Sequence, residues 1–230
     1  MKTLFLPAKA KVNVMPVVDK ALSNELKNFK KIGLVTNIQH VHELEKVKER
    51  LEAAGKKVEI GGQVLGCDAR EAQKISDKVD VFLFIGSGEF HPIEVALESA
   101  DSMQNAKDII CANPFTMQIT IYSKDEVKKT LKRRDALLAK FLMARNIGVL
   151  VSNKPGQNFH QAAKIFINKL DRHNKKGYLF FFNELDIIQM KNFKFIDFWI
   201  NTACTRIVDN NEMLNLNDVL PALNKLKVSA

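Results

Sequence analysis

A chain of 230 residues is long enough for one large domain or two small ones, and either could bury a sizeable core. Its 46% hydrophobic and 27% charged residues are typical of an ordinary globular protein. The strongest apolar run, residues 178–182, is far shorter than the roughly 18 residues that a membrane helix needs. Pro7 interrupts the start of the chain before a signal-peptide core develops, so we expect a cytoplasmic protein with no membrane segment.

The net charge of +9 suggests nucleic acid, but the lysines are spread along the chain. The densest patch lies on one predicted helix and comprises Lys128, Lys129, Lys132, Arg133 and Arg134. This patch could be a solvated face or a docking surface for an anionic partner. We therefore do not expect direct nucleic-acid binding to be the main task of the chain.

Strands and helices alternate along the first part of the chain. The predicted strands cover residues 4–6, 31–36, 57–60 and 79–85. The predicted helices cover residues 17–29, 41–54, 70–76 and 92–100. The strand at 79–85 is almost continuously apolar, as expected of a parallel strand covered on both faces. This alternation predicts a small doubly wound unit.

The same alternation continues in the second part of the chain. The predicted strands cover residues 108–112, 146–151, 178–182 and 195–200, and the predicted helices 124–144, 159–170, 185–191 and 216–226. The fold class is therefore predicted to be α/β, with two consecutive small doubly wound units that each hold a parallel sheet of about four strands. We expect one domain at 1–106 and the other at 107–230.

The three cysteines are too few for a disulfide scaffold and lack the CxxC spacing of zinc sites. Cys111 lies inside a predicted strand, which favours a buried core thiol. Cys67 and Cys204 each follow an apolar strand, on the sheet edge where α/β folds bind ligands. Each could alternatively be a core thiol. A site that contained both would lie between the two domains, a common place for ligand pockets.

Six stretches of the chain resemble one known family, and they occur in family order. They are FLPAKAKV (5–12), LVTNIQHVHEL (34–44), GQVLGC (62–67), FIGSGEFHP (84–92), KPGQ (154–157) and NTAC (201–204). In these stretches the sequence is similar to the archaeal 2-(3-amino-3-carboxypropyl)histidine synthases, which catalyse the first step of diphthamide biosynthesis.

The resemblance implies a radical enzyme of three similar α/β domains, each of which gives one cysteine to a [4Fe–4S] cluster. S-adenosylmethionine binds the open iron, and its 3-amino-3-carboxypropyl group is transferred to a histidine of translation elongation factor 2. Thiolates suit this task because they are soft, anionic iron ligands. Cys67 and Cys204 match the second and third family cysteines.

The resemblance also implies contacts to S-adenosylmethionine from residues that follow predicted strands. Glycine lets backbone amides approach an anionic group, although a glycine turn can also simply end a strand. His91 could instead cap a helix, and Arg206 could instead pair with Asp209 at the surface. The expected contacts are Gln39, His40, Gly86, Ser87, Gly88, His91, Lys154, Gly156, Gln157 and Arg206.

The chain departs from the family pattern in two places. The family carries its first cluster cysteine in a domain before the stretch at 5–12, whereas Met1 stands near the start of the second domain. Thr205 also replaces a proline that would stiffen the ligand loop. We therefore expect another chain to supply the first domain and the third cysteine, or a homo- or heterodimer partner to complete the site.

Two alternative functions are considered. The chain could be a non-catalytic partner of a full-length homologue, in which case replacing Cys67 or Cys204 would leave the activity of the complex largely intact. It could instead be a basic RNA- or ribosome-binding protein, whose RNA affinity would depend strongly on salt. The RNA alternative leaves the two cysteine turns unexplained.

Overall fold

The computed structural model describes residues 8–66, 68–88, 90–100, 103–154, 156–208 and 213–225. The chain divides into a first unit, Met1–Lys132, and a second unit, Arg133–Ala230. Each unit is built on its own sheet, and the predicted α/β class is confirmed. Within the described ranges no helix has both the length and the apolar character needed to cross a bilayer.

The first unit contains a five-stranded sheet in the order β2-β1-β3-β4-β5. The first four strands of this order are parallel and β5 is antiparallel to β4. Its elements are α1 (Met15–Ser23), β1 (Lys31–Thr36), α2 (Leu44–Ala53), β2 (Lys57–Gln63), α3 (Arg70–Gln73), β3 (Val81–Ile85), α4 (Phe90–Glu98), β4 (Asp108–Asn113) and β5 (Gln118–Tyr122).

Helices cover both faces of this sheet, as a doubly wound fold requires. On one face Leu34 and Leu83 pack in one core with residues of α1 and α2. On the other face Phe82 and Phe84 pack with residues of α3 and α4. Every residue of β3 is buried, which explains its continuous apolar sequence. Cys111 belongs to the second of these cores, so the prediction of a buried core thiol is confirmed.

The second unit contains a fully parallel sheet in the order β7-β6-β8-β9. The helix α5 crosses the boundary between the units, because Leu131 belongs to a core of the first unit and Phe141 to a core of the second. The elements from α5 onward are α5 (Lys124–Met143), β6 (Asn146–Ser152), α6 (His160–Asp171), β7 (Lys176–Phe182), α7 (Ile187–Met190), β8 (Phe198–Asn201), β9 (Met213–Asn215) and α8 (Leu216–Lys225).

The unit boundary lies two strands and part of a helix later than the sequence placed it. The expected boundary at residues 106 and 107 precedes β4, but β4 pairs with β3 along its length, for example Phe84 with Cys111. The first unit therefore extends to Lys132 and gains the antiparallel strand β5. The strand predicted at residues 4–6 lies outside the described residues.

Within each sheet, the first and third strands of the unit make the same kind of close contact. Gly33 in β1 pairs with Phe82 in β3, and Gly148 in β6 pairs with Trp199 in β8. A Cβ atom on Gly33 would lie 2.6 Å from the Phe82 ring, and one on Gly148 would overlap the Trp199 ring. Both positions therefore require glycine for the same steric reason.

The two units also share a lysine that precedes the second strand and binds three carbonyl oxygens. Lys56 Nζ donates at 2.8–2.9 Å to the carbonyls of Leu26, Lys27 and Phe29, which precede β1. The buried Lys175 Nζ donates to the carbonyls of Phe141, Leu142 and Ala144 at the end of α5. Burial lowers the pKa of Lys175 from its usual value.

An aspartate before the third strand fixes the start of the first strand in each unit. Asp80 accepts the Lys31 N–H at 3.0 Å. Asp197 accepts the N–H groups of Arg145 and Asn146 at 3.1 and 2.7 Å, and this bonding lowers the pKa of Asp197. The shared glycine, lysine and aspartate positions define a common frame for both units.

Candidate metal centre

The carboxyl edge of the first sheet begins where β1 ends. The hydroxyl of Thr36 donates to the Ile85 carbonyl of β3 at 2.6 Å. Asn37 follows, and its Oδ1 accepts the Gln39 N–H at 3.0 Å. The Gln39 carbonyl accepts the N–H of Ala10. The backbone of Gln39 is therefore held at this edge through both its N–H and its carbonyl.

His40 lies one residue further and is fully buried. Neither of its ring nitrogens has a hydrogen-bond partner in the part of the chain that the structure describes. Its ring centroid lies 5.7 Å from that of Phe115. Burial, with a smaller contribution from His42, lowers the pKa of His40, while Glu43 opposes the shift. The imidazole is therefore neutral at pH 7 and can offer one donor and one acceptor.

The predicted glycine turn after β3 takes a conformation that favours glycine. Gly86 and Gly88 have φ values of +154° and +84°. A Cβ on Gly86 would lie 2.9 Å from the Phe84 ring and 3.0 Å from Asn37 Nδ2. The Gly86 N–H already donates to Ala112, whereas Ser87 and Gly88 are exposed. The turn thus brings its exposed part to the carboxyl edge, next to the loop that follows β1.

His91 lies on α4, just after this turn. Its ring stacks on that of Phe84, with 5.8 Å between the centroids and an interplanar angle of 16°. The imidazole is half-buried. His91 therefore has a packing role whether or not it also contacts a ligand.

Cys67 itself lies outside the described residues, but the residues on either side of it are well anchored. Leu65 and Asp68 exchange two backbone hydrogen bonds, at 2.9 and 3.3 Å. The Ala69 N–H donates to the carboxylate of Glu98 on α4 at 2.5 Å. Burial raises the pKa of Glu98 even though this hydrogen bond opposes the shift.

The Cys204 loop of the second unit is organised by Asn201, the last residue of β8. Asn201 is 1% exposed. Its Nδ2 donates to the Cys204 carbonyl at 2.9 Å and to Asn215 Oδ1 at 2.7 Å, and its Oδ1 accepts the Ala203 N–H at 3.0 Å. One buried amide thus fixes the backbone of the loop from both ends.

Further bonds tie the loop to the neighbouring strand. Thr202 donates both its N–H and its hydroxyl to the Leu150 carbonyl of β6, at 3.1 and 2.7 Å. The Cys204 carbonyl also accepts the Ile207 N–H at 3.1 Å. The hydroxyl of Thr205 is buried without a partner in the described part of the chain.

The side chain of Cys204 is half-buried and forms no disulfide with Cys111. A half-buried thiol on a rigid loop, at the carboxyl end of a parallel strand, fits a thiolate ligand to iron. Among the described residues, no three His, Cys, Asp or Glu side chains converge as a ligand set. The described residues therefore fit one ligand position of a cluster.

Lys154, Gly156 and Gln157 follow β6 and lie at the same edge as Cys204, because β6 and β8 are parallel neighbours. The Lys154 N–H donates to Ser152 Oγ at 3.1 Å, and the Gln157 N–H donates to the Lys154 carbonyl. Gly156 has a φ of +79°. The exposed Lys154 side chain could therefore meet an anion at this edge. Arg206 lies in a short 3₁₀ turn, and its side chain is outside the described part of the structure.

The two cysteines occupy different places in the common sheet order. Cys204 follows β8, the third strand of its unit, whereas Cys67 follows β2, the second strand of its unit. The counterpart of the Cys204 loop in the first unit is the turn at Gly86 and Gly88. The common frame thus carries different loops at equivalent edges.

Sequence reasoning assigned no role to two residues that hold these loops. Asn201 could have been recognised from the sequence, because an asparagine at the end of a strand commonly accepts the backbone N–H two residues later and so forms a local turn. Glu98 gave no such signal, because it reaches Ala69 only through the packing of α4.

The basic patch that the sequence singled out lies on α5, as predicted. Within it, Lys128 pairs with Asp125 at 3.5 Å and Arg134 with Asp218 at 3.6 Å. Part of its charge is therefore balanced within the chain, which favours a solvated helix face.

Comparisons with known proteins agree with the resemblance seen in the sequence. Residues 1–212 match the family described as putative diphthamide synthesis protein. The chain is 31% identical over 214 residues to the 2-(3-amino-3-carboxypropyl)histidine synthase of Pyrococcus horikoshii, covering 89% of this chain and 59% of that protein. It is 26% identical over 226 residues to the synthase of Methanocaldococcus jannaschii, covering 93% of this chain and 58% of that protein.

A solved relative has the same fold. The crystal structure of Dph2 from Pyrococcus horikoshii with a 4Fe–4S cluster matches with a TM-score of 0.73 and 29% identity, over 98% of this chain and 66% of that one. The chain thus spans a little under three fifths of the length of its archaeal relatives. From its sequence and its fold, the chain belongs to the diphthamide synthesis protein family.

Proposed function

We propose that this chain takes part in the first step of diphthamide biosynthesis in the cytoplasm. The reaction transfers the 3-amino-3-carboxypropyl group of S-adenosylmethionine to a histidine of translation elongation factor 2. The observation that carries the proposal is the rigid Cys204 loop at the carboxyl end of β8, in a chain whose family includes a relative solved with a 4Fe–4S cluster.

In this proposal Cys67 and Cys204 supply two thiolates, and the third comes from outside these 230 residues. A chain that carries the first family domain would supply it, or a homo- or heterodimer partner would complete the site. When bound and reduced, a [4Fe–4S] cluster supplies an electron and an open iron position for S-adenosylmethionine, whose bond from sulfur to the γ-carbon breaks.

The remaining residues bind and orient. The exposed backbone of Ser87 and Gly88 can donate to a carboxylate, and the Lys154 ammonium can pair with one. His40 adds a neutral donor and acceptor at the edge where Gln39 is fixed. His91, Gly156, Gln157 and Arg206 complete the set of proposed contacts.

The test is anaerobic reconstitution with iron and sulfide of this chain coexpressed with the first domain of an archaeal family member. We expect a brown complex that gives a cubane electron paramagnetic resonance signal after dithionite reduction and that cleaves S-adenosylmethionine. Cys204→Ala should abolish the signal, and Cys111→Ala is the matched control because that thiol is buried in β4. A colourless complex, or a signal that survives Cys204→Ala, would refute the ligand assignment.

A second candidate function is a non-catalytic partner subunit of a full-length homologue. It is favoured by relatives that are named as subunits, such as the 2-(3-amino-3-carboxypropyl)histidine synthase subunit 1 of Schizosaccharomyces pombe, to which the chain is 25% identical over 222 residues. The discriminating measurement is activity of the complex with a full-length homologue. Unchanged activity with Cys67→Ala and Cys204→Ala chains would support the partner role, whereas loss of activity would support the ligand role.

A further inference from the structure

The second unit has a large surface groove, and the predicted site residues that the structure describes do not line it. Its volume is about 1060 Å³. It is bounded by the end of α5 and the following turn, by the segment at residues 187–197, and by β8 and β9. A groove of this size at the surface is larger than most small-molecule pockets and suits a peptide.

The floor of the groove is apolar. Met190, Met213 and Trp199 form it, and the exposed Phe193 stands at its side. Met143, which is 85% exposed, stands at the end of α5. Met190 and Met213 are buried in a core cluster, so the apolar surface that a partner could meet comes from Met143, Phe193 and the half-buried Trp199. A group of exposed apolar side chains of this kind marks an interaction site.

The rim of the groove is basic. Lys140, Arg145, Lys191 and Lys194 line it and are exposed. The acidic lining residue, Asp197, accepts backbone N–H groups at the start of the sheet. Lys191 and Lys194 form no ion pair within the described residues. Lys191 and Lys194 therefore place positive charge at the rim that no ion pair among the described residues balances.

The charge of the whole second unit has the same sign. Residues 133–230 contain 15 Lys and Arg against 8 Asp and Glu, a net charge of +7 out of +9 for the chain. A second copy of this chain would bring like charge to this rim, which disfavours this groove, though not other surfaces, as the contact of a homodimer.

We propose that this groove binds an acidic peptide segment of a partner protein, with apolar side chains of the segment packed against Trp199 and Phe193. Carboxylates of the segment pair with Lys191 and Lys194 at the rim. The proposal is independent of the cluster chemistry, because the described Cys204 does not line the groove.

Single-stranded nucleic acid is the competing anionic occupant, since bases stack on exposed ring faces. The rings here pack edge to face with one another. Phe193 and Trp199 meet at 6.2 Å and 73°, and Phe180 meets Phe193 at 4.7 Å and 70°. This mutual packing leaves fewer free ring faces for bases, which favours a peptide.

The test uses fluorescence anisotropy with a labelled peptide that alternates glutamate with leucine and phenylalanine. Reversing two rim charges with Lys191→Glu and Lys194→Glu should weaken binding at least about tenfold. The matched control reverses two exposed charges on other helices, Lys164→Glu and Lys225→Glu, and should change affinity less than about twofold. Binding should also change the emission of Trp199, the single tryptophan of the chain.

A charge swap sharpens the test. A peptide with lysine in place of glutamate should bind the Lys191→Glu, Lys194→Glu chain more tightly than the unmodified chain. The proposal is overturned if the acidic peptide does not bind or if both double variants bind it equally. Tighter binding of oligouridylate than of peptide, or self-association that the rim variant abolishes, would also overturn it.

Discussion

Replacing Asn201 by alanine should loosen the Cys204 loop without altering any proposed ligand. Asn201 makes three hydrogen bonds of 2.7–3.0 Å from a position that is 1% exposed. At about 1 kcal/mol for each hydrogen bond lost, Asn201→Ala should lower the free energy of unfolding of the second unit by about 3 kcal/mol. The Cys204 carbonyl keeps its bond from the Ile207 N–H, so the figure needs no additional penalty there.

The assay is urea unfolding followed by the fluorescence of Trp199, which lies in β8 of the same unit. Site-resolved alkylation of Cys204, read by mass spectrometry, reports the loop directly. Its rate should rise at least roughly tenfold, since each 1.4 kcal/mol of lost local stability raises the open population tenfold.

The matched control is Asn153→Ala, which removes one exposed hydrogen bond of 3.1 Å to Asn183 after β6. This change should lower the free energy of unfolding by less than about 0.5 kcal/mol. A loss below about 0.5 kcal/mol in Asn201→Ala, with an unchanged alkylation rate at Cys204, would refute the reasoning.

Three further changes test the frame and the loops. Gly148→Ala should destabilise the second unit by about 1–3 kcal/mol and shift the Trp199 emission, because the added methyl overlaps the indole. Lys175→Met should lower the free energy of urea unfolding by about 2–4 kcal/mol, since three carbonyls lose a charged donor, and the less buried Lys56→Met should lower it less. Burial raises the pKa of Glu98 above its usual 4.5, so the folded state holds this proton more tightly than the unfolded state. The contribution of Glu98 to stability is present at low pH and is lost as the pH rises through the raised pKa. The free energy of unfolding, measured between about pH 4 and 7, should therefore decline less with pH in Glu98→Gln than in the unmodified protein. If the free energy of unfolding depended on pH identically in both proteins, the raised pKa of Glu98 would be contradicted.

The apolar pattern of the sequence predicted most strands and the eight α-helices found among the described residues. Strands buried on both faces, such as Val81–Ile85, leave continuous apolar runs that are easy to recognise. It missed Gln118–Tyr122, an edge strand in which Ile121 is half exposed. It also missed Met213–Asn215, since three residues are too short to show a period. Both missed strands lie at sheet edges, where burial imposes the weakest pattern.

The boundary between the units could not be predicted from the sequence because it depends on strand pairing. Nothing in residues 108–112 shows that they pair with β3 rather than with β6. In the same way, the carbonyl ligands of Lys175 lie over 30 residues before it in the chain. The loops that carry Cys67 and Cys204 were found because short motifs mark them, whereas Asn215 joins the Cys204 loop only through the fold.

The common frame allows the loops at the carboxyl edge of each sheet to differ while the sheet itself stays the same. Gly33 under Phe82 and Gly148 under Trp199 lie inside the sheets, away from the carboxyl edges where ligand loops leave. The NTAC loop could therefore be grafted onto the end of β3, or a glycine turn onto the end of β8, without changing the glycine, lysine and aspartate contacts of the common frame. Chemistry and architecture in this chain are separate modules, and a thiol can move between strands without the scaffold being redesigned.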